Sequence, residues 1–204
     1  MTWSELQNQM DAVLPADSAA MEEARRRWDA IAKPLQGLGK LEELLVRAAG
    51  AAGSPDLDWG KKGVAVFCAD NGVVAEGVTQ TGQEVTLAVA RAMGEGCSSV
   101  CRMARVAGAQ VFPVDVGMVC HGPVPGLLSR VVMPGGTRNM VQGPAMEVHA
   151  AVQAVWVGVH TAQQLVQRGF RLLAAGEVGI GNTTTTAAGA FALLALTPRE
   201  AVGR

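Results

Sequence analysis

Phe170-Arg-Leu-Leu-Ala-Ala175, then Gly176-Glu-Val-Gly-Ile-Gly-Asn182, then an apolar stretch from Thr183 to about Leu196 follow one another without a break. A short apolar run bounded by glycines reads as a strand buried on both faces of a parallel sheet. The turn after it stands where open α/β sheets receive ligands, at a strand's C-terminal end. The same pattern occurs upstream. Val64–Ala69 is a second such run and ends at Asp70-Asn71-Gly72, a turn signal. Glu84–Ala107 has a helical pattern with Gly94 and Gly96 as weak points, and Ala109–Val116 is another strand. Pro113 inside that strand implies an edge or an irregularity. Residues 117–144 are rich in Gly and Pro and read as a long functional loop with a short strand at Arg130–Met133. Ala145–Arg168 is a long helix. Strands alternating with helices predict an α/β fold, a Rossmann-like parallel sheet with flanking helices.

Before Val64 the pattern differs. Residues 4–13 and 20–32 read as short helices, and Leu41, Leu44, Leu45 and Ala48 at i, i+3, i+4 and i+7 give a third up to Ala52. About half of the charged residues lie within residues 1–62, and no lysine follows Lys62. The expected division is therefore 1–62, a helical segment belonging to a smaller domain, and 63–204, a Rossmann-like nucleotide-binding domain. The latter stops just after one αβ unit, at Ala201–Arg204, and reads as C-terminally truncated.

Composition narrows the function. A net charge of −1 over 204 residues gives no electrostatic footprint for nucleic acid or an anionic membrane. Aromatics are 4% and tyrosine is absent, so base-stacking platforms are not expected. No basic-then-apolar leader and no membrane-length apolar run is read, which predicts a cytoplasmic protein. Cys68, Cys97, Cys101 and Cys120 lack zinc-type spacing and read as buried free thiols; no metal site is expected.

The candidate chemistry sits at strand ends. In Gly176–Thr184, glycines let backbone approach an anion, the next helix offers N–H groups and its dipole, and Thr183 and Thr184 add hydroxyls. A tight connection with a threonine cap is the other reading. No Gly-Lys-Ser/Thr follows and position 184 is not glycine, so neither a Walker loop nor the dinucleotide fingerprint is present. Glu177 would repel a phosphate unless it serves ribose hydroxyls or a proton; an exposed loop carboxylate explains it equally well. Asp70 is a ligand candidate or a turn residue, and Asp115 is a third strand-end carboxylate. Arg138, in Thr137-Arg-Asn139, could reach a carboxylate or phosphate. No acidic pair precedes a Thr-Gly loop, against diphosphate-leaving phosphoribosyl transfer with magnesium. No catalytic triad is read around His121, His149 or His160.

Taken together, the segments resemble one family. Gly176–Thr184 matches the signature of nicotinate-nucleotide–dimethylbenzimidazole phosphoribosyltransferases. Leu38-Gly-Lys-Leu-Glu42, Ala69-Asp-Asn-Gly-Val73, Glu76-Gly-Val78, Gln83-Glu-Val-Thr86, Val114-Asp-Val-Gly117 and Gly136-Thr-Arg-Asn139 agree in order. Asn71 stands where the family usually has His, and Gln36-Gly37 where it usually has Gly-Ser. The resemblance implies a Rossmann-like domain with a small helical domain built from both termini, in a homodimer without a cofactor. It implies transfer of phosphoribose from nicotinate mononucleotide to a benzimidazole-type base, in cobalamin lower-ligand synthesis. By resemblance Gly179, Gly181, Asn182 and Thr183 hold the nucleotide phosphate, and Gly176, Thr184 and Asp70 are further substrate-binding candidates. Glu177 lies beside the ribose in a supporting role, and Gln83 helps line the base pocket. The glutamate that acts as catalytic base is expected beyond residue 204. The alternative is a non-catalytic nucleotide-binding fragment or short form.

Overall fold

The computed structural model describes residues 2–202. The chain divides between Trp59 and Gly60: residues 7–59 form one unit, and residues 2–6 and 60–202 the other. The expected boundary at residue 62 thus lies just inside the first strand. Residues 2–6 belong with the sheet unit, where Leu6 packs on Val152 and Trp156.

The smaller unit is helical. It holds the rest of α1 (Trp3–Asp11), with α2 (Ser18–Asp29) and α3 (Lys40–Ala52) packed together through Ala24, Val46 and Ala49. The Asp17 carboxylate accepts the Ala20 N–H and starts α2, while Gly53, in the left-handed region, ends α3. Glu42 is buried here, accepting the Leu38 N–H and the Lys33 ammonium.

The larger unit is a parallel four-stranded sheet of order β3-β2-β1-β4, an α/β architecture. Its strands are β1 (Lys61–Ala69), β2 (Ala109–Gly117), β3 (Leu128–Ser129) and β4 (Phe170–Val178). Side-chain alternation makes β1 a two-sided wall. Val66 and Cys68 join Leu87, Ala90, Met93 and Cys101 of α4 (Glu84–Gly94) and α5 (Ser99–Val106) on one face. Ala65 and Phe67 join Leu165 of α6 (Val148–Gln167), Phe112 and Phe170 on the other. Both faces are covered, which is why the run is continuously apolar. Full burial of Leu165 or Phe170 contributes about 1.5–3 kcal/mol each.

Several local expectations shift. The 84–107 helix is broken after Gly94, where Gly96 adopts a positive φ of 74° and the Ser98 hydroxyl caps α5 by accepting the Cys101 N–H. The short strand lies at Leu128–Ser129 rather than Arg130–Met133, because it pairs with Val114 and Asp115 alone among the described residues. Pro113 therefore sits where the outer side of β2 has no strand beside it. Cys97 is exposed and Cys120 half-buried, so only Cys68 and Cys101 are buried thiols. Burial pushes the Cys68 thiol up to about 12, making it a packing group. β4 runs three residues past Ala175, so Gly176, Glu177 and Val178 are strand, opposite Val66, Phe67 and Cys68. After β4 come α7 (Asn182–Leu194) and the short α8 (Pro198–Ala201). Among the described residues no helix is long and apolar enough to cross a membrane.

Candidate functional site

Strand order fixes where the site lies. From β1 the chain crosses by α4 and α5 to β2 on one side, and α6 returns it to β4 on the other. The β1–β4 gap is thus the point where the strand order reverses, and the two C-terminal ends open a crevice there. Ala69-Asp70-Asn71 leaves β1 on one side of it, and Gly179-Ile180-Gly181 leaves β4 on the other.

Two glycines make the turn possible. A Cβ on Gly179 would stand 1.8 Å from the Ala69 carbonyl oxygen, so only hydrogen fits between the strand ends. Gly181 has a φ of 86°, a left-handed conformation at the N-cap of α7, with Val73, Val74 and Asn71 around it. Gly176 differs: its nearest neighbour in space is Val66 Cγ2 at 3.7 Å from an added Cβ.

Side chains tie the turn down. Asn71 Nδ2 donates to the Ile180 carbonyl at 3.2 Å, and Asn71 Oδ1 accepts from the Thr185 hydroxyl at 3.0 Å. Gln83, at the N-cap of α4, donates from Nε2 to the Asn71 carbonyl at 3.2 Å. The Ile180 N–H donates to Thr86 Oγ1 at 3.2 Å, and that hydroxyl donates to Asp70 Oδ1. Asp70 is fully buried, and its second carboxylate oxygen accepts the Val119 N–H at 2.8 Å. This leaves Asp70 no open oxygen for a ligand; it is part of the wall behind the turn.

The other amides of the turn and of the first turn of α7 differ in their partners. The Asn182 N–H turns back to the Gly179 carbonyl at 3.0 Å, and the Thr185 N–H bonds the Gly181 carbonyl at 3.3 Å. Thr183 and Thr184, in the first turn of α7, have N–H groups with no helical acceptor. Thr183 is exposed and Thr184 half-buried. With the positive end of α7 behind them, these donors suit an anion.

All three strand-end carboxylates lie at one sheet edge, but only one is open. Asp115 is buried and accepts the N–H groups of Gly117 and Met118, closing its own turn. Glu177 is exposed, and its Oε1 accepts from Asn182 Nδ2 at 2.6 Å. Arg138 pairs with Glu147 at 2.7 Å, holding that carboxyl below its ordinary range, and Asn139 donates to Glu76. Beside the turn runs an apolar groove of about 660 Å³, lined by Val78, Met140, Thr184, Ala187, Phe191 and Val202. Sequence reading gave Asn71, Thr86 and Thr185 no role. Thr86 and Asn71 were visible inside quoted motifs, but nothing in a sequence says which turn their side chains meet.

A family profile described as phosphoribosyltransferase matches residues 13–204. The nicotinate-nucleotide–dimethylbenzimidazole phosphoribosyltransferase of Thermus thermophilus is 43% identical over 92% of this chain and 56% of its own length. The enzyme of that name from Escherichia coli strain SMS-3-5 is 38% identical over 99% of this chain and 55% of its own. A crystal structure of the Thermus thermophilus enzyme superposes with a TM-score of 0.86 at 42% identity, covering 92% of this chain and 57% of that one. The chain therefore spans a little over half the length of these relatives. With a profile match over nearly its whole length, the chain belongs to the phosphoribosyltransferase family.

Proposed function

We propose that the protein carrying this chain transfers the 5-phosphoribosyl group of nicotinate mononucleotide to 5,6-dimethylbenzimidazole or a related base. The products are α-ribazole 5′-phosphate and nicotinate, in the nucleotide-loop branch of cobalamin biosynthesis. The observation that carries this reading is the tethered glycine turn at the β1–β4 crevice, followed by the first turn of α7, where the Thr183 and Thr184 amides have no helical acceptor. The names of the relatives support the same substrates.

The chemistry is a displacement at the anomeric carbon. The acceptor's ring nitrogen forms the new bond to C1′, and the electrons of the old bond go to the nicotinate nitrogen, cancelling its positive charge. The acceptor's N–H proton passes to a carboxylate. In this reading Gly176, Gly179, Gly181, Asn182, Thr183 and Thr184 cradle the phosphate, and Glu177 lies beside the ribose. Gln83 supports the base pocket, and the apolar groove supplies a dry wall for a planar ring. Positioning and charge placement do most of the work.

The principal base is the glutamate that the family resemblance sets outside residues 1–204. A general base contributes roughly 10²–10⁴-fold in rate, so the 204-residue chain by itself is expected to be essentially inactive. The complete protein is a cytoplasmic homodimer in this reading. Assaying both forms for α-ribazole phosphate tests it: product from the complete protein only is expected. A comparable rate from the short chain would make Glu177 the first candidate for the base and overturn this assignment.

A further inference from the structure

We propose that Thr86 is a positioning residue that decides which amides of the glycine turn are open to the nucleotide's phosphate, an inference resting on the nucleotide reading above. Thr86 is fully buried in the first turn of α4. Its hydroxyl has one proton to give and lone pairs to receive. The proton goes to Asp70 Oδ1, and a lone pair takes the Ile180 N–H at 3.2 Å. Three elements meet in this relay: the end of β1, the start of α4 and the turn after β4.

The anchor of the relay is itself held from several sides. The Asp70 N–H donates to the Gly117 carbonyl at 3.0 Å, and its carbonyl accepts the Thr137 N–H at 3.0 Å. Its Oδ2 accepts the Val119 N–H at 2.8 Å. With both carboxylate oxygens engaged, the Thr86 proton has a fixed destination, and its lone pair faces the turn. The Ile180 amide is thereby consumed inside the protein. The Asn182 amide is consumed by the Gly179 carbonyl, whereas the Thr183 and Thr184 amides, in the first turn of α7, have no helical acceptor. The relay thus withdraws the Ile180 amide from the donors left to a ligand and ties the turn that carries the others. Asn71 holds the same residue from its other side, at the Ile180 carbonyl, so Ile180 is gripped through both of its backbone polar groups.

Valine in place of Thr86 keeps the shape and deletes the hydroxyl, leaving the Ile180 N–H and an Asp70 oxygen without their partner. Serine keeps the hydroxyl. In the complete protein, calorimetric titration with nicotinate mononucleotide should show Thr86→Val weakened on the order of tenfold to a hundredfold, and Thr86→Ser close to wild type. Steady-state kinetics should place the loss in KM for the nucleotide and leave KM for the acceptor base unchanged. Amide exchange in the unliganded wild type gives an independent reading: the Ile180 amide should be strongly protected and the Thr183 amide not. Failure of the wild type to bind the nucleotide overturns the functional reading. A wild type that binds, with folded Thr86→Val binding equally well, overturns the role of Thr86 alone. Should Thr86→Val not fold, an Ile180 amide that exchanges as fast as that of Thr183 in the wild type overturns the relay without any variant.

Discussion

Gly179 and Gly176 stand three residues apart in one glycine-rich signature, yet the structure gives them unequal tasks. An added Cβ on Gly179 collides with a backbone carbonyl at the end of β1, and only movement of a strand could relieve it. Gly179→Ala should therefore cost at least about 1–3 kcal/mol in urea denaturation and abolish nucleotide binding in calorimetry. Gly176→Ala meets nothing closer than 3.7 Å, so its stability change should stay below about 1 kcal/mol. Equal losses for both would contradict this account of the turn. The glycines themselves were legible in the sequence, because their spacing after a strand is a local pattern. Their inequality was not, since the obstacle to Gly179 is the carbonyl of Ala69, far away along the chain. Asp70 shows the same limit: as a residue type it suits a ligand or a turn, and only burial with both oxygens engaged separates the two.

At the scale of elements, strands and helices were readable wherever one periodicity prevailed. β1 and β2 appear close to their expected limits, because both are apolar runs covered on both faces. β4 continues through Gly176-Glu177-Val178, where the sequence suggested a loop; pairing with β1 overrides the weak strand propensity of glycine. The tiny β3 was misplaced because two residues of pairing leave no periodic trace. In the helical unit, α3 holds Glu42, whose carboxyl is kept below its ordinary value by the Leu38 N–H, with Lys33 assisting against the opposing effect of burial. A lowered folded value means that its stabilisation is complete above the ordinary value of 4.5. It then fades as pH falls through the lowered one. Glu42→Gln should lower the melting temperature at neutral pH and flatten its decline in acid. A variant whose acid decline parallels wild type would exclude this contact as a contributor.

Across the whole molecule, apolar surface is unevenly covered. β4 is the outer strand of its sheet, with Leu172 42% exposed, and α7 buries none of its residues: Leu193 is 86% and Leu194 67% exposed. An apolar edge strand and an exposed apolar helix each invite association. The 204-residue chain studied alone should bind an apolar dye strongly and sediment heavier than a monomer. A monodisperse, dye-free monomer would contradict this. The crevice is tested by one structure: the complete protein crystallised with nicotinate mononucleotide. The phosphate should lie within about 3 Å of the Thr183 and Thr184 amide nitrogens, with the Ile180 amide still bonded to Thr86. A phosphate bound elsewhere, with those two amides facing solvent, would contradict the account.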